Sequence, residues 1–89
     1  MKIEFDATKD RINRAKHGVS LAFGAWVLAD YEHLIVAATR EGDREERFKA
    51  IGEVEGRIYT AVFTWRGDAV RFISVRRSNR NEERAYRSG

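Results

Sequence analysis

The spacing of apolar residues predicts a short strand, two helices, four further strands and a final helix. Residues 1–6 alternate between polar and apolar side chains, as a strand does. A polar helix follows and ends near His17, where Gly18 supplies the left-handed residue that closes many helices. Ser20 caps a second helix over residues 21–30. The core-facing stripe of that helix is predicted to be Phe23, Trp26 and Val27.

The second half of the chain reads as one strand, a three-stranded meander and a helix. Residues 33–39 form an apolar run of strand length, and a charged loop separates them from the meander. Two-residue turns at 55–56 and 67–68 would join the meander strands. Asn79, with Glu82 three residues on, resembles a capping box that opens the last helix. The fold class is therefore predicted to be α+β: an antiparallel sheet, two N-terminal helices on one face and a short C-terminal helix.

The register of the meander assigns its side chains to two faces. With two-residue turns, Phe48, Phe63 and Phe72 share one row across three strands, and the two helices should cover that face. The opposite face carries cations at Arg47, Lys49 and Arg71. Cations on a strand usually meet solvent or carboxylates, and the alternative is that they bind an anion such as phosphate.

Two neighbouring arginines end the last strand. Neighbours on a strand point to opposite faces, so Arg76 and Arg77 diverge. The same counting puts Arg76 on the aromatic side with Tyr59, unless the strand bends there, and puts Val75 on the cationic side.

Composition and charge narrow the function classes. The chain has 89 residues, enough for one small domain over residues 1–89, and it has no cysteine, which excludes disulfides and thiolate zinc sites. No apolar run is long enough to cross a membrane, so we expect a cytoplasmic protein. The net charge of +3 resides in residues 76–87, where five arginines face two glutamates. This end suggests an anionic partner, either nucleic acid or an acidic protein, and the alternative is a solvated helix with internal ion pairs.

Four segments in series carry a family resemblance: KHGVS at 16–20, REERFKAIG at 44–52, RGD at 66–68 and ISVRRSNRNEERAY at 73–86. Together they resemble the BrnT toxins, which are ribonuclease partners of BrnA antitoxins with a RelE-like fold. The resemblance implies an endoribonuclease that needs no metal or other cofactor, cuts RNA and arrests translation. It also implies a ribbon-helix-helix antitoxin of the BrnA type, a 2:2 complex, contact with operon DNA through the antitoxin, and no membrane partner.

The resemblance and the chemistry of RNA cleavage together indicate candidate catalytic residues. Cleavage without metal needs a base for the 2′-hydroxyl, positive charge for the phosphorane and a proton for the 5′-oxygen. We expect Arg47 and Lys49 to hold the phosphate and Arg76 or Arg77 to close from the last strand. Glu45 or His17 would be the general base, although a histidine at a helix C-terminus often serves only the helix dipole.

A second group of basic residues is predicted to hold RNA rather than react: Lys16, Arg66, Arg71, Arg77 and Arg80. His33 is expected to be structural, since two distant histidines make no metal site. The main alternative to a ribonuclease is a non-enzymatic nucleic-acid-binding module that uses the C-terminal arginines. The third possible function is that of a purely structural interaction domain. No recognisable helix-turn-helix, RNA-recognition or zinc-finger pattern supports the binding module.

Overall fold

The helices and strands follow the predicted order. A computed structural model describes residues 1–89. A single 3₁₀ turn, Leu21–Phe23, precedes the second helix. The elements are β1 (Lys2–Glu4), α1 (Ala7–His17), α2 (Gly24–Ala29), β2 (Leu34–Ala37), β3 (Phe48–Val54), β4 (Arg57–Arg66), β5 (Ala69–Arg77) and α3 (Arg80–Ser88). None of the helices is both long and apolar enough to span a membrane.

The five strands form one sheet in the order β1-β5-β4-β3-β2. Strands β2 to β5 are antiparallel neighbours, whereas β1 pairs with β5 in parallel. The α+β class is confirmed, but the prediction of a wholly antiparallel sheet is wrong for this one pair. Parallel pairing requires a crossover rather than a hairpin, and the chain between β1 and β5 supplies one.

The two predicted turns are confirmed, and they set the register of the meander. Val54 pairs with Arg57, and Arg66 pairs with Ala69. Glu55 and Gly56 both have positive φ, at 50° and 82°, as a tight two-residue hairpin turn with left-handed central residues requires. The register places the three phenylalanines in one row, with Phe63 paired to Phe48 on one side and to Phe72 on the other.

A β-bulge in β5 then changes which side chains face which way. Phe63 pairs with Phe72, but Val62, the residue before Phe63 in β4, pairs with Ser74. Ile73 is therefore an extra residue in β5. Beyond the bulge the alternation is reversed relative to the counted register.

Val75 and Arg76 lie on the faces opposite to those predicted. Val75 is fully buried in the core under the helices, and Arg76 pairs with Thr60 on the other face. Arg77 instead lies on the aromatic side, where its guanidinium is 5.7 Å from the centre of the Tyr59 ring. The counted register was wrong here because nothing in the sequence marks Ile73 as a bulge.

The core lies between the aromatic face of the sheet and the two N-terminal helices. Leu21, Gly24 and Val27 are buried and recur every third residue, because the segment begins as a 3₁₀ turn. A Cβ atom on Gly24 would overlap the ring of Phe72, so this helix approaches the sheet closely. Trp26 is 65% exposed, and its predicted place in the core stripe is wrong.

A buried amide joins α1 to the free edge of β5. The pairing of β1 with β5 stops at Arg71, so the outer backbone groups of Val75 have no strand partner. The Asn13 side chain donates to the Val75 carbonyl oxygen at 2.8 Å and accepts from the Val75 N–H at 3.1 Å. It also donates to the Val19 carbonyl oxygen at 2.9 Å. Asn13 therefore takes the place of a neighbouring strand just after the bulge.

We expect Asn13→Ala to lower the free energy of unfolding by about 2–3 kcal/mol, because the substitution leaves buried backbone groups of Val75 without partners. Urea unfolding followed by circular dichroism measures the loss. Arg11→Ala is the matched control, since Arg11 is exposed on the same helix and bonds only Thr8. Equal stability of the two variants would contradict this role for Asn13.

Candidate functional site

A cleft of about 480 Å³ opens on the face of the sheet that the two N-terminal helices leave free. Side chains from β3, β4 and β5 form its floor, and the segment after β2 forms its rim. Four of the ten lining residues are cationic. The lining consists of Ala37, Ala38, Thr39, Arg40, Arg47, Lys49, Val62, Ile73, Ser74 and Arg76.

The rim of the cleft is held by the charged loop that joins β2 to β3. Asp43 accepts a hydrogen bond from the Arg40 backbone N–H at 2.7 Å and lies 3.7 Å from Nε of Arg47. The Arg47 backbone N–H donates to Oγ1 of Thr39 at 2.8 Å. Nε of Arg47 is buried and makes no hydrogen bond of its own. The loop thus fixes the position of Arg47. The guanidinium of Arg47 pairs with Asp43 but makes no hydrogen bond within the chain.

The carboxylate of Glu82, from α3, joins two of the cleft cations from behind. It accepts from Nζ of Lys49 at 2.9 Å, from both terminal nitrogens of Arg76 at 2.8 and 2.9 Å, and from Oγ1 of Thr60 at 2.9 Å. The Asn79 backbone N–H adds a fifth hydrogen bond at 2.9 Å. Lys49, Thr60 and Arg76 come from β3, β4 and β5, so one buried side chain ties α3 to three strands.

The ionisation of Glu82 follows from these contacts. Burial on its own would raise the pKa of Glu82, but the hydrogen bonds from Arg76, Asn79, Lys49 and Thr60 outweigh it and hold the pKa well below its usual range. The same ion pair raises the pKa of Arg76. Glu82 and Arg76 are therefore both charged at neutral pH. With Asp43 and Glu82 set against the four cations, the site keeps a net charge of +2, which suits a phosphate that gains negative charge.

His17 lies at the margin of the cleft, where α1 ends beside the bulge of β5. It lines a smaller hollow of about 150 Å³ with Lys16, and that hollow shares Ile73 and Ser74 with the cleft. Burial lowers the pKa of His17, and the positive charges of Lys16 and Arg76 lower it further. The imidazole is therefore largely neutral at pH 7 and carries a lone pair that can accept a proton.

Several predicted site residues lie elsewhere, and all of them but Arg80 have partners within the chain. Glu45 pairs with Arg66 at 3.5 Å, beyond the residues that line the cleft. Arg71 pairs with Glu4 of β1 at 3.1 Å. Arg77 lies on the helix-covered side, and Arg80 is exposed at the start of α3. The structure thus brings together Arg47, Lys49 and Arg76, with Lys16 and His17 at the margin.

Two residues of the site were not singled out from the sequence. Arg40 stands in a loop of mixed charge, and only the fold shows that it lines the cleft. Glu82 was recognised as part of a capping box, and both of its capping hydrogen bonds are present. Its second role could not be foreseen, because it depends on the bulge that brings Arg76 to this face.

Comparison with known protein families decides what the chain is related to. A family model described as the ribonuclease toxin BrnT of type II toxin–antitoxin systems matches residues 5–82. This chain belongs to the BrnT family. The resemblance carried by the four segments is thereby confirmed, and the matched range ends at Glu82. A toxin of a type II system has an antitoxin partner. No curated protein matches the chain closely enough to be counted as a relative.

In this BrnT-family protein a second contact fixes the far end of α3. The Tyr86 hydroxyl donates to Asp30, which also accepts from the backbone N–H groups of Glu32 at 3.0 Å and Glu53 at 2.7 Å. The hydrogen bond to Asp30, followed by burial, raises the pKa of Tyr86 to about 12. Burial opposes ionisation of Asp30, yet the three hydrogen bonds lower its pKa. The helix is therefore held by Glu82 at its first turn and by Tyr86 at its last.

The raised pKa of Tyr86 predicts an alkaline loss of stability. A group whose folded pKa lies above its unfolded value stabilises the fold below the unfolded pKa, and this contribution is lost as the pH rises through the folded pKa. The window runs from about pH 10 to about pH 12. Urea unfolding across this window should show a decline in the wild type that Tyr86→Phe lacks. Tyr31→Phe, at a fully exposed position, is the control and should keep the decline; identical curves for wild type and Tyr86→Phe would contradict the assignment.

Proposed function

We propose that this BrnT-family protein is an endoribonuclease that needs no metal and cleaves RNA in the cationic cleft. The observation that carries the proposal is the convergence of four cations on one cleft, with a neutral histidine at its margin. Positive charge fixed in advance can stabilise the phosphorane without a metal ion. The family description as a ribonuclease toxin supports the same reaction class.

The reaction transfers the phosphate between two ribose oxygens. The 2′-oxygen attacks the neighbouring phosphorus while its proton passes to a base, and the bond to the 5′-oxygen then breaks as that oxygen gains a proton. The products are a 2′,3′-cyclic phosphate and a 5′-hydroxyl. Arg47, Lys49 and Arg76 would bind the non-bridging oxygens, whose charge rises in the transition state. Arg40, on the rim, would contact an adjacent phosphate.

His17 is the better placed of the two candidate bases. It borders the hollow that joins the cleft, and its lowered pKa keeps it ready to accept a proton. Glu45 is engaged with Arg66 outside the cleft lining, so it would need to move to act.

RNA contacts beyond the cleft should be unequal. Lys16, next to His17, and Arg80, at the start of α3, are exposed and have no ion-pair partner, so we propose that they bind the RNA backbone. Phosphates that approach Arg66, Arg71 or Arg77 would compete with Glu45, Glu4 and the Tyr59 ring, respectively. These three arginines should therefore add less affinity.

Family membership supports the remaining proposals. The cleavage would arrest translation, and a BrnA-type antitoxin of the ribbon-helix-helix class would neutralise it in a 2:2 complex that binds operon DNA. We also propose a RelE-like fold and a cytoplasmic location. The family's place in type II toxin–antitoxin systems supports the antitoxin proposal.

The cleft is tested by RNA cleavage with antitoxin-free protein in excess EDTA. We expect cleavage to persist in EDTA and to fall by at least about 100-fold in the double variant Arg47→Ala, Lys49→Ala, because two phosphate-binding cations are lost. Arg57→Ala, at an exposed position at the start of β4 and outside the cleft, should cleave like the wild type. Full activity of the double variant would refute the assignment of the cleft as the cleavage site. Loss of cleavage on addition of EDTA alone would indicate a metal enzyme. RNA binding without cleavage would favour the non-enzymatic module.

His17 is tested by the pH dependence of the cleavage rate. A base acts only when deprotonated, so the rate should rise with pH through the folded pKa of His17 and level off above it. Because that pKa is lowered, the midpoint should lie below the ordinary histidine value of 6.5. His17→Gln should lower the plateau value of the cleavage rate by about 10²–10⁴-fold and abolish its rise with pH. If His17→Gln shows the same rise of the cleavage rate with pH, another group is the base, and Glu45→Gln is the next variant to measure.

A further inference from the structure

Glu82 meets the cleft only through other side chains. Lys49 and Arg76 line the cleft, whereas Glu82 does not. Glu82 lines a separate hollow on the α3 side, and Lys49 lines both that hollow and the cleft. The carboxylate is only 3% exposed, so it lies behind the two cations and cannot reach a substrate in the cleft.

The contacts of Glu82 explain how two cations can stand side by side. Nζ of Lys49 and one terminal nitrogen of Arg76 both bond the same oxygen of Glu82, each at 2.9 Å, so they lie within about 6 Å of each other. Two positive groups at this separation repel each other when no anion lies between them. Both side chains remain about one-third exposed, with room to bond a second anion on the cleft side.

We propose that Glu82 is a positioning residue of the cleavage reaction, which holds Lys49 and Arg76 together at the spacing that a phosphate group requires. This inference rests on the proposed function. It assigns α3 a part in the reaction although the helix contributes no residue to the lining of the cleft. Without the carboxylate the two cations separate, and the phosphorane loses donors held in advance.

The distinguishing consequence is that binding and cleavage change in different directions. Glu82→Gln removes one negative charge from behind the cleft, so RNA phosphates should bind at least as tightly as before. Gln can still serve the capping box of α3, which keeps the helix in place. The cleavage rate should nevertheless fall by at least about tenfold, because the cations are no longer held in position. A purely structural role would lower affinity and rate together.

The experiment uses the full chain and three readouts. Single-turnover cleavage of one RNA oligonucleotide gives the rate, and fluorescence anisotropy with its fully 2′-O-methylated, uncleavable form gives the affinity. The NMR signal of the Arg76 guanidinium reports its order without any activity. Asn79→Ala is the matched control, because it removes the other half of the capping box but leaves Glu82 in place. We expect this control to lose some stability and to keep most of the cleavage rate and an ordered Arg76 signal.

Three results would overturn the inference: wild-type cleavage by Glu82→Gln, rate and affinity falling in proportion in that variant, or an ordered Arg76 signal in Glu82→Gln. If the wild-type protein binds RNA but cleaves none, the proposed function fails on its own. The NMR signal then still decides whether Glu82 orders Arg76, so the two failures are distinguishable.

Discussion

The arrangement of the open face depends on one ion cluster, in which the buried Glu82 carboxylate accepts five hydrogen bonds from the N-cap of α3 and three neighbouring strands. A carboxylate at 3% exposure would be strongly destabilising without such partners. Because every donor converges on one group, the position of the helix and the positions of Lys49 and Arg76 are linked. Removing either cation leaves the carboxylate short of partners, and removing the carboxylate leaves two cations in mutual repulsion.

The cluster itself depends on the bulge in β5. The extra residue, Ile73, reverses the alternation of the strand. Val75 therefore lies in the core, and Arg76 lies on the face where it bonds Glu82. Asn13 holds the strand just after the bulge by bonding both backbone groups of Val75. A contact between α1 and the free edge of β5 thus supports the strand at the residue that directly precedes Arg76. Bulges often re-aim side chains beside functional sites in this way.

Much of the fold was predictable from local sequence signals. The hairpin turns carry glycine where left-handed backbone is needed, and those turns set the register of Phe48, Phe63 and Phe72. The capping box of α3 was predictable for the same reason, because its two residues interact over one helical turn. The parallel pairing of β1 with β5 was missed, since it joins segments that are far apart in sequence and have no shared turn.

The site was less predictable than the fold. Arg47 and Lys49 were assigned to the open face by alternation, which holds as long as a strand is regular. Arg76 was assigned to the wrong face, because an extra residue such as Ile73 looks like any other β-branched strand residue. Arg40 and the second role of Glu82 depend on tertiary contacts alone. Single-sequence reasoning could therefore identify the cationic residues without establishing which of them meet.

The most direct test of the central claim is where RNA binds. An NMR titration of the wild-type protein with a short 2′-O-methylated RNA would locate the contact surface residue by residue. We expect the largest shifts at Arg40, Lys49, Ser74 and Arg76, with smaller shifts at His17 on the margin. Shifts confined to Arg66, Arg77 and the helix-covered side of the sheet, with none at the cleft, would contradict it.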